Sequence, residues 1–190
     1  MNSLFAVARQ LQDFCEARDW RFCFIGGIAV QRWAEPRVTD DADLTLLTGF
    51  GGEEKFVDDL LTWLHVREPG GREFALRHRV LLAQSIDGIP LDIALGALPF
   101  EESAVDRARD EELLPGLWLR LCTAEDLIVF KAFAGRAVDW RDIEMTIVRQ
   151  GEGALDWTYI ERSLLPLVKL KDKPETLGQL NDLRRSLREL

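Results

Sequence analysis

The 190-residue chain is 47% apolar and 30% charged, with a formal charge of −9 at pH 7. That balance describes an ordinary globular protein long enough to build its own core. It excludes a membrane-spanning helix, since no apolar run approaches the ~20 residues required, and the acidic excess argues against a nucleic-acid footprint over the whole surface.

The three cysteines, Cys15, Cys23 and Cys122, lack the paired spacing of a disulfide framework or zinc site. They read as small buried residues in a reducing compartment. Arg9 and Gln10 interrupt the N-terminal apolar stretch where an export signal needs continuity, so a cytoplasmic location is expected.

In chain order, Leu4, Phe5, Val7, Ala8, Leu11, Phe14 and Cys15 fall on one face of an amphipathic helix. Phe22 to Ile25 is a short buried strand, ended by Gly26 and Gly27. Ile28, Ala29, Val30, Trp33 and Ala34 continue at helical spacing until Pro36. The next stretch, Asp41-Ala-Asp43-Leu-Thr45-Leu-Leu47, is extended: alternation puts Asp41, Asp43 and Thr45 on one face and sends Ala42, Leu44 and Leu46 to the core. Two carboxylates on one strand face, Cβ atoms roughly 7 Å apart, repel unless a cation lies between them. Hard divalent cations favour such oxygen donors together with substrate phosphates. Two glycines ahead of a helix start also let a polyanion approach backbone N–H groups.

Beyond a glycine-rich connector, a second helix is expected over Glu53–Leu64, then a turn at Pro69-Gly70-Gly71, and Phe74-Ala75-Leu76 reads as the beginning of a strand. His65 and His78 have no ligand-spaced partners. Val80–Ser85 and Ile89–Leu95 flank Asp87-Gly88, a strong hairpin signal. The second run holds Asp92 between apolar neighbours, and an ionised carboxylate there needs a partner. A polar helix over Phe100–Asp110, a loop over Glu111–Gly116 and a strand over Leu117–Leu121 follow.

Thr123 and Asp126 form a capping box for an almost wholly apolar helix that contains Lys131. A buried ammonium requires an anion, and two sources are open: a nucleotide phosphate, or a carboxylate of Asp139 or Asp142. Asp156 caps a helix over Trp157–Leu165, and Pro174 opens one running to Leu190. The segment from Leu167 carries six basic residues against four acidic ones, too mild a bias to select RNA as a partner.

Strand, Gly26-Gly27, helix, then Asp41-x-Asp43 on a strand resembles the active-site signature of the nucleotidyltransferase (polymerase beta-like) superfamily. Within it, the string from Arg37 through Thr39 and Asp41 to Asp43 is similar to that of the abortive-infection type toxins. Lys131 followed by Arg136, Asp139 and Asp142 resembles the helical half of the same group. The resemblance covers about residues 22–148.

It implies an α/β (α+β) fold in which a small mixed sheet with flanking helices spans residues 1–121 and a helical region spans 122–190. It implies a two-metal mechanism in which Asp41, Asp43 and Asp92 hold two ions of Mg2+ or Mn2+, with Asp92 as third acid and either general base or second-metal ligand. It further implies that Gly26, Gly27, Arg37, Thr39 and Lys131 contact a nucleoside triphosphate such as ATP, and that Lys131 assists the reaction. The reaction expected is metal-dependent transfer of a nucleoside monophosphate to an acceptor, which could be a small molecule, a protein or an RNA. Gly27 departs from the serine that this superfamily often carries there. The competing expectation is a non-catalytic nucleotide- or partner-binding module of a toxin–antitoxin pair, with an antitoxin-like partner.

Overall fold

The computed structural model describes residues 3–188, so the expected end of the last helix at Leu190 lies outside the described residues. The chain divides into two compact units, one made of Met1–Ile28 and Val38–Cys122, the other of Ala29–Arg37 and Thr123–Leu190.

The first unit is a mixed sheet with helices on it. Its strands are β1 (Phe22–Phe24), β2 (Ala42–Leu47), β3 (His65–Val66), β4 (Val80–Gln84), β5 (Pro90–Gly96), β6 (Arg109–Leu114) and β7 (Leu117–Leu121), in the order β3-β4-β5-β2-β1-β7-β6. β2 runs parallel to β5 and β1 to β7, while the other neighbours are antiparallel. Period-two alternation sends Leu44, Leu46, Leu81, Ala83, Leu91 and Ile93 into one core. There they meet α1 (Ser3–Glu16), α3 (Glu53–Leu60) and α4 (Gly71–His78) through Leu4, Leu11, Val57, Leu60 and Ala75. Asp43 and Asp92, which stand opposite one another in the β2–β5 register, therefore lie on the face turned away from that core. A further helix, α5 (Pro99–Arg107), contacts β1 and β2.

The second unit is helical. The chain enters it within α2 (Gly26–Trp33) and returns to it for α6 (Ala124–Ala134), α7 (Ala137–Gln150), α8 (Trp157–Leu170) and α9 (Glu175–Arg188). Thr123 caps α6, accepting from the Asp126 N–H while the Asp126 carboxylate accepts from the Thr123 N–H. The buried Asp126 carboxylate also accepts from the Tyr159 hydroxyl at 2.5 Å, which ties α8 to α6.

Four expectations need correction. Phe74-Ala75-Leu76 is part of α4, not a strand: Gly70 turns the chain with φ +76°, and Arg72 anchors the new helix to Glu54 and Asp58 of α3. Arg109–Leu114, expected to end a helix and enter a loop, is the edge strand β6, which needs only one partner strand and can leave its charges in water. α3 stops at Leu60 because its last turn tightens, with Trp63 donating to the Leu60 carbonyl and the Thr62 hydroxyl to that of Asp59. α8 continues through Pro166, since Leu164, Leu167 and Val168 keep one buried face beyond it.

The three cysteines are buried, and burial pushes the Cys15 thiol up to about 12. Among the described residues no helix is long and apolar enough to cross a membrane.

Candidate active site

The site begins where β1 ends. Ile25 donates its N–H to the Asp43 carbonyl at 3.0 Å, which carries the β1–β2 pairing one residue further, and the chain then turns at Gly26 with φ +53°. That conformation is costly for a residue with a Cβ, and here a Cβ has no room: it would stand 1.8 Å from the Asp43 carboxylate oxygen Oδ2. The same oxygen accepts the Gly27 N–H at 3.2 Å, so the head of α2 and the second acid of β2 touch directly. A Cβ on Gly27 would fall 2.0 Å from the Thr39 hydroxyl oxygen. That hydroxyl donates to the Asp41 carboxylate at 3.1 Å, fixing the first acid from the loop before it. Asp40 is exposed.

The third acid arrives from β5. One carboxylate oxygen from each of Asp41, Asp43 and Asp92 lies within 4.8 Å of the others, and all three residues are half-buried. At such a separation and an effective dielectric of about 20, each pair of ionised carboxylates costs about 3 kcal/mol in repulsion. Arg67, just past β3, donates to the Asp92 carboxylate and supplies part of the compensation.

The remaining candidates lie in the second unit as a charge network of their own. Lys131, 5% exposed, is bound by Asp139 at 3.1 Å and by Asp142 at 2.8 Å. Arg37 makes a two-pronged contact with Asp142, its Nε and Nη2 each 2.8 Å from a carboxylate oxygen. Arg136 closes on Asp139 through its backbone N–H at 3.0 Å and its Nε at 2.8 Å. Burial pushes both carboxyls up, but the bonds from Arg136 and Lys131 to Asp139, and from Arg37 and Lys131 to Asp142, hold them below the usual carboxylate range. Of the two anion sources open to Lys131 in the sequence, the structure thus provides the carboxylates.

No protein-family profile matches the sequence, and no curated protein matches it. Solved structures do. An antigenic nucleotidyltransferase-like protein from Paracoccidioides brasiliensis superposes with a TM-score of 0.52 at 17% identity, over 95% of this chain and 93% of that one. The antibiotic-resistance factor ANT(2'')-Ia superposes with a TM-score of 0.54 at 16% identity, over 92% and 96% of the two chains. The chain has the nucleotidyltransferase fold.

On this nucleotidyltransferase fold, the three acids are a donor set suited to a hard divalent cation. They offer carboxylate oxygens only, on two adjacent strands held in register. Their spread is close to the roughly 4 Å between opposite ligands of such an ion. Asp43 and Thr39 close up on the backbone of Gly26 and Gly27 because neither residue has a side chain, which holds the acids together, so the residues present fit the group that their chemistry implies.

The sequence reading missed Arg67. It follows a two-residue strand in a stretch without clear periodicity, and only the pairing of β3 with β4 and of β4 with β5 brings it to Asp92.

Proposed function

We propose that the protein transfers a nucleoside monophosphate from a nucleoside triphosphate to an acceptor hydroxyl. The observation that carries this reading is the convergence of Asp41, Asp43 and Asp92 beside a glycine pair at the head of α2. Asp41, Asp43 and Asp92 would hold a divalent cation, magnesium or manganese. When bound, such an ion makes the α-phosphorus more electrophilic, lowers the pKa of the acceptor hydroxyl and neutralises charge on the departing pyrophosphate.

The chain's own groups do the rest. Thr39 keeps the Asp41 carboxylate turned into the trio, and the Gly27 N–H does the same for Asp43. The backbone at Gly26 and Gly27 is assigned to the phosphates, and the positive end of the α2 dipole favours negative charge there. Asp92, the third acid, is assigned to the acceptor side, where it would ligate the cation or take the acceptor proton. An ammonium has three N–H donors. Lys131 gives two of them to Asp139 and Asp142, and Asp142 also holds the Arg37 guanidinium; it is the family resemblance that assigns Lys131 and Arg37 to the nucleotide. The strings around Arg37 and Lys131 favour the abortive-infection group within this fold.

The test is incubation with each of the four α-labelled nucleoside triphosphates, magnesium and cell lysate. Magnesium-dependent release of pyrophosphate, with label passing to one class of molecule, is the expected result. Asp43→Asn should abolish both. Release that survives Asp43→Asn, or hydrolysis with no labelled acceptor, would refute the assignment.

A further inference from the structure

Arg67 occupies a position that the reaction outlined above does not use. Its N–H donates to the Leu82 carbonyl, so it extends the β3–β4 pairing by one residue. Leu82 stands opposite Asp92 on β5, and Asp92 opposite Asp43 on β2. Residues opposed in register share a face, so Arg67, Leu82, Asp92 and Asp43 form one row across four neighbouring stretches of chain. Asp92 lies two strand spacings from Arg67, about 10 Å between backbones, and the long guanidinium side chain crosses Leu82 to reach it. Both side chains of that ion pair remain half-buried, 29% and 31% exposed, so the contact is shielded from water on one side and open to it on the other.

Three carboxylates this close need positive charge whether or not an ion is present. Arg67 provides it from within the chain and, in doing so, takes up one oxygen of a residue that the cation also needs.

We propose that Arg67 is a positioning residue that sets the trio's affinity for divalent cations by competing with them for Asp92. The proposal rests on the metal reading of Asp41, Asp43 and Asp92. With the ion absent, the guanidinium holds Asp92 in place and keeps the trio from being driven apart. An arriving cation has to share Asp92 with an existing positive charge or displace it. Arg67 thereby weakens binding of the free ion while preserving the geometry that receives it. A group that only braced Asp92 would do the opposite, since its removal would loosen the ligand set and weaken binding.

The experiment titrates the intact protein with Mn2+ alone, read by the electron paramagnetic resonance signal of the unbound ion, and pairs this with thermal unfolding in chelator and in saturating Mn2+. Arg67→Gln should bind Mn2+ about tenfold more tightly than the parent, the scale on which one neighbouring charge shifts an ionic equilibrium. Its unfolding temperature in chelator should fall, and the deficit should close when Mn2+ is added. Arg67→Lys keeps the charge without the planar fork and should lie between the two. Asp43→Asn removes a ligand and should lose Mn2+ binding. If Asp43→Asn loses the ion while Arg67→Gln binds it with unchanged or weaker affinity, competition is refuted and the metal reading stands. If Asp43→Asn binds Mn2+ as the parent does, the trio is not the metal site and both fall together.

Discussion

Gly26→Ala is the sharpest test of the cradle. The new Cβ would meet the Asp43 side chain at Oδ2, Cγ and Cβ at 1.8, 2.4 and 2.7 Å, in a backbone conformation of φ +53°. Swinging the carboxylate aside relieves the first two contacts, but the third is to the atom that joins the side chain to β2, so the β1–β2 pairing has to give as well. The left-handed conformation costs a non-glycine residue about 1–2 kcal/mol. Forcing an extra methyl into packed surroundings adds about 1–3 kcal/mol. The sum, about 2–5 kcal/mol, corresponds to a fall in unfolding temperature of roughly 5–15 °C for a chain of this size.

Because relief drives Asp43 out of the trio, Mn2+ binding should be lost along with the stability. Gly27→Ala is the matched control. Its Cβ meets Thr39 and not Asp43, so the strain reaches the trio only through the Thr39–Asp41 bond, and it should cost less stability and less Mn2+ affinity than Gly26→Ala. Thermal unfolding and Mn2+ titration of both variants decide the matter. The reasoning fails if Gly26→Ala stays within about 0.5 kcal/mol of the parent, the range of a neutral surface change, and keeps its affinity for Mn2+.

Other variants probe the rest of the molecule. Thr45 is fully buried and its hydroxyl has no hydrogen-bond partner, so Thr45→Val should raise stability in urea unfolding by about 1 kcal/mol; a loss of stability would show that the hydroxyl is satisfied. Asp142→Ala takes one carboxylate from Arg37 and one from Lys131, and breaking such a buried network should cost about 3–5 kcal/mol; a cost below about 1 kcal/mol would place the network in water.

The folded-state pKa values of Asp139 and Asp142 are depressed, so their contribution is complete above the unfolded carboxylate value of about 3.9 and is lost as pH falls through the lower folded values. Protection of the α6 and α7 amides from hydrogen exchange, taken relative to the intrinsic rate at each pH, should therefore fall below about pH 4, and protection unchanged down to pH 2 would contradict the depression. For the buried Cys15 thiol, raised to about 12, the sign is reversed: its contribution is present below the unfolded thiol value and is lost as pH climbs toward 12.

The parts of the candidate site legible in the sequence were those written in local pattern. Asp41 and Asp43 announce themselves through strict alternation with Ala42, Leu44 and Leu46, and Asp92 through a hairpin whose Asp87-Gly88 turn fixes where its strand begins. Lys131 stands out because it interrupts an apolar helix whose start is marked by a capping box. What could not be read depends on partners distant in sequence. Arg67 reaches Asp92 only through the pairing of two further strands, and β3, at two residues, is too short to show any period. β6 reads Arg-Asp-Glu-Glu-Leu-Leu, and as an edge strand it has no need of the apolar alternation that reveals an interior one. α4 has only Gly71 and Ala75 buried, so its helical period has almost no apolar residues to express it.

The path of the backbone has a practical corollary for anyone wishing to dissect the protein. Ala29–Arg37 packs with the C-terminal helices although it is threaded between two pieces of the sheet unit. Severing the chain after Cys122 would leave the C-terminal fragment holding Lys131, Asp139 and Asp142 without Arg37, while the N-terminal fragment would carry a helix whose packing partners had gone. Neither fragment is therefore a self-sufficient folding unit. Fusions are better placed at the Pro115-Gly116 bend between β6 and β7, where Gly116 opens onto empty space.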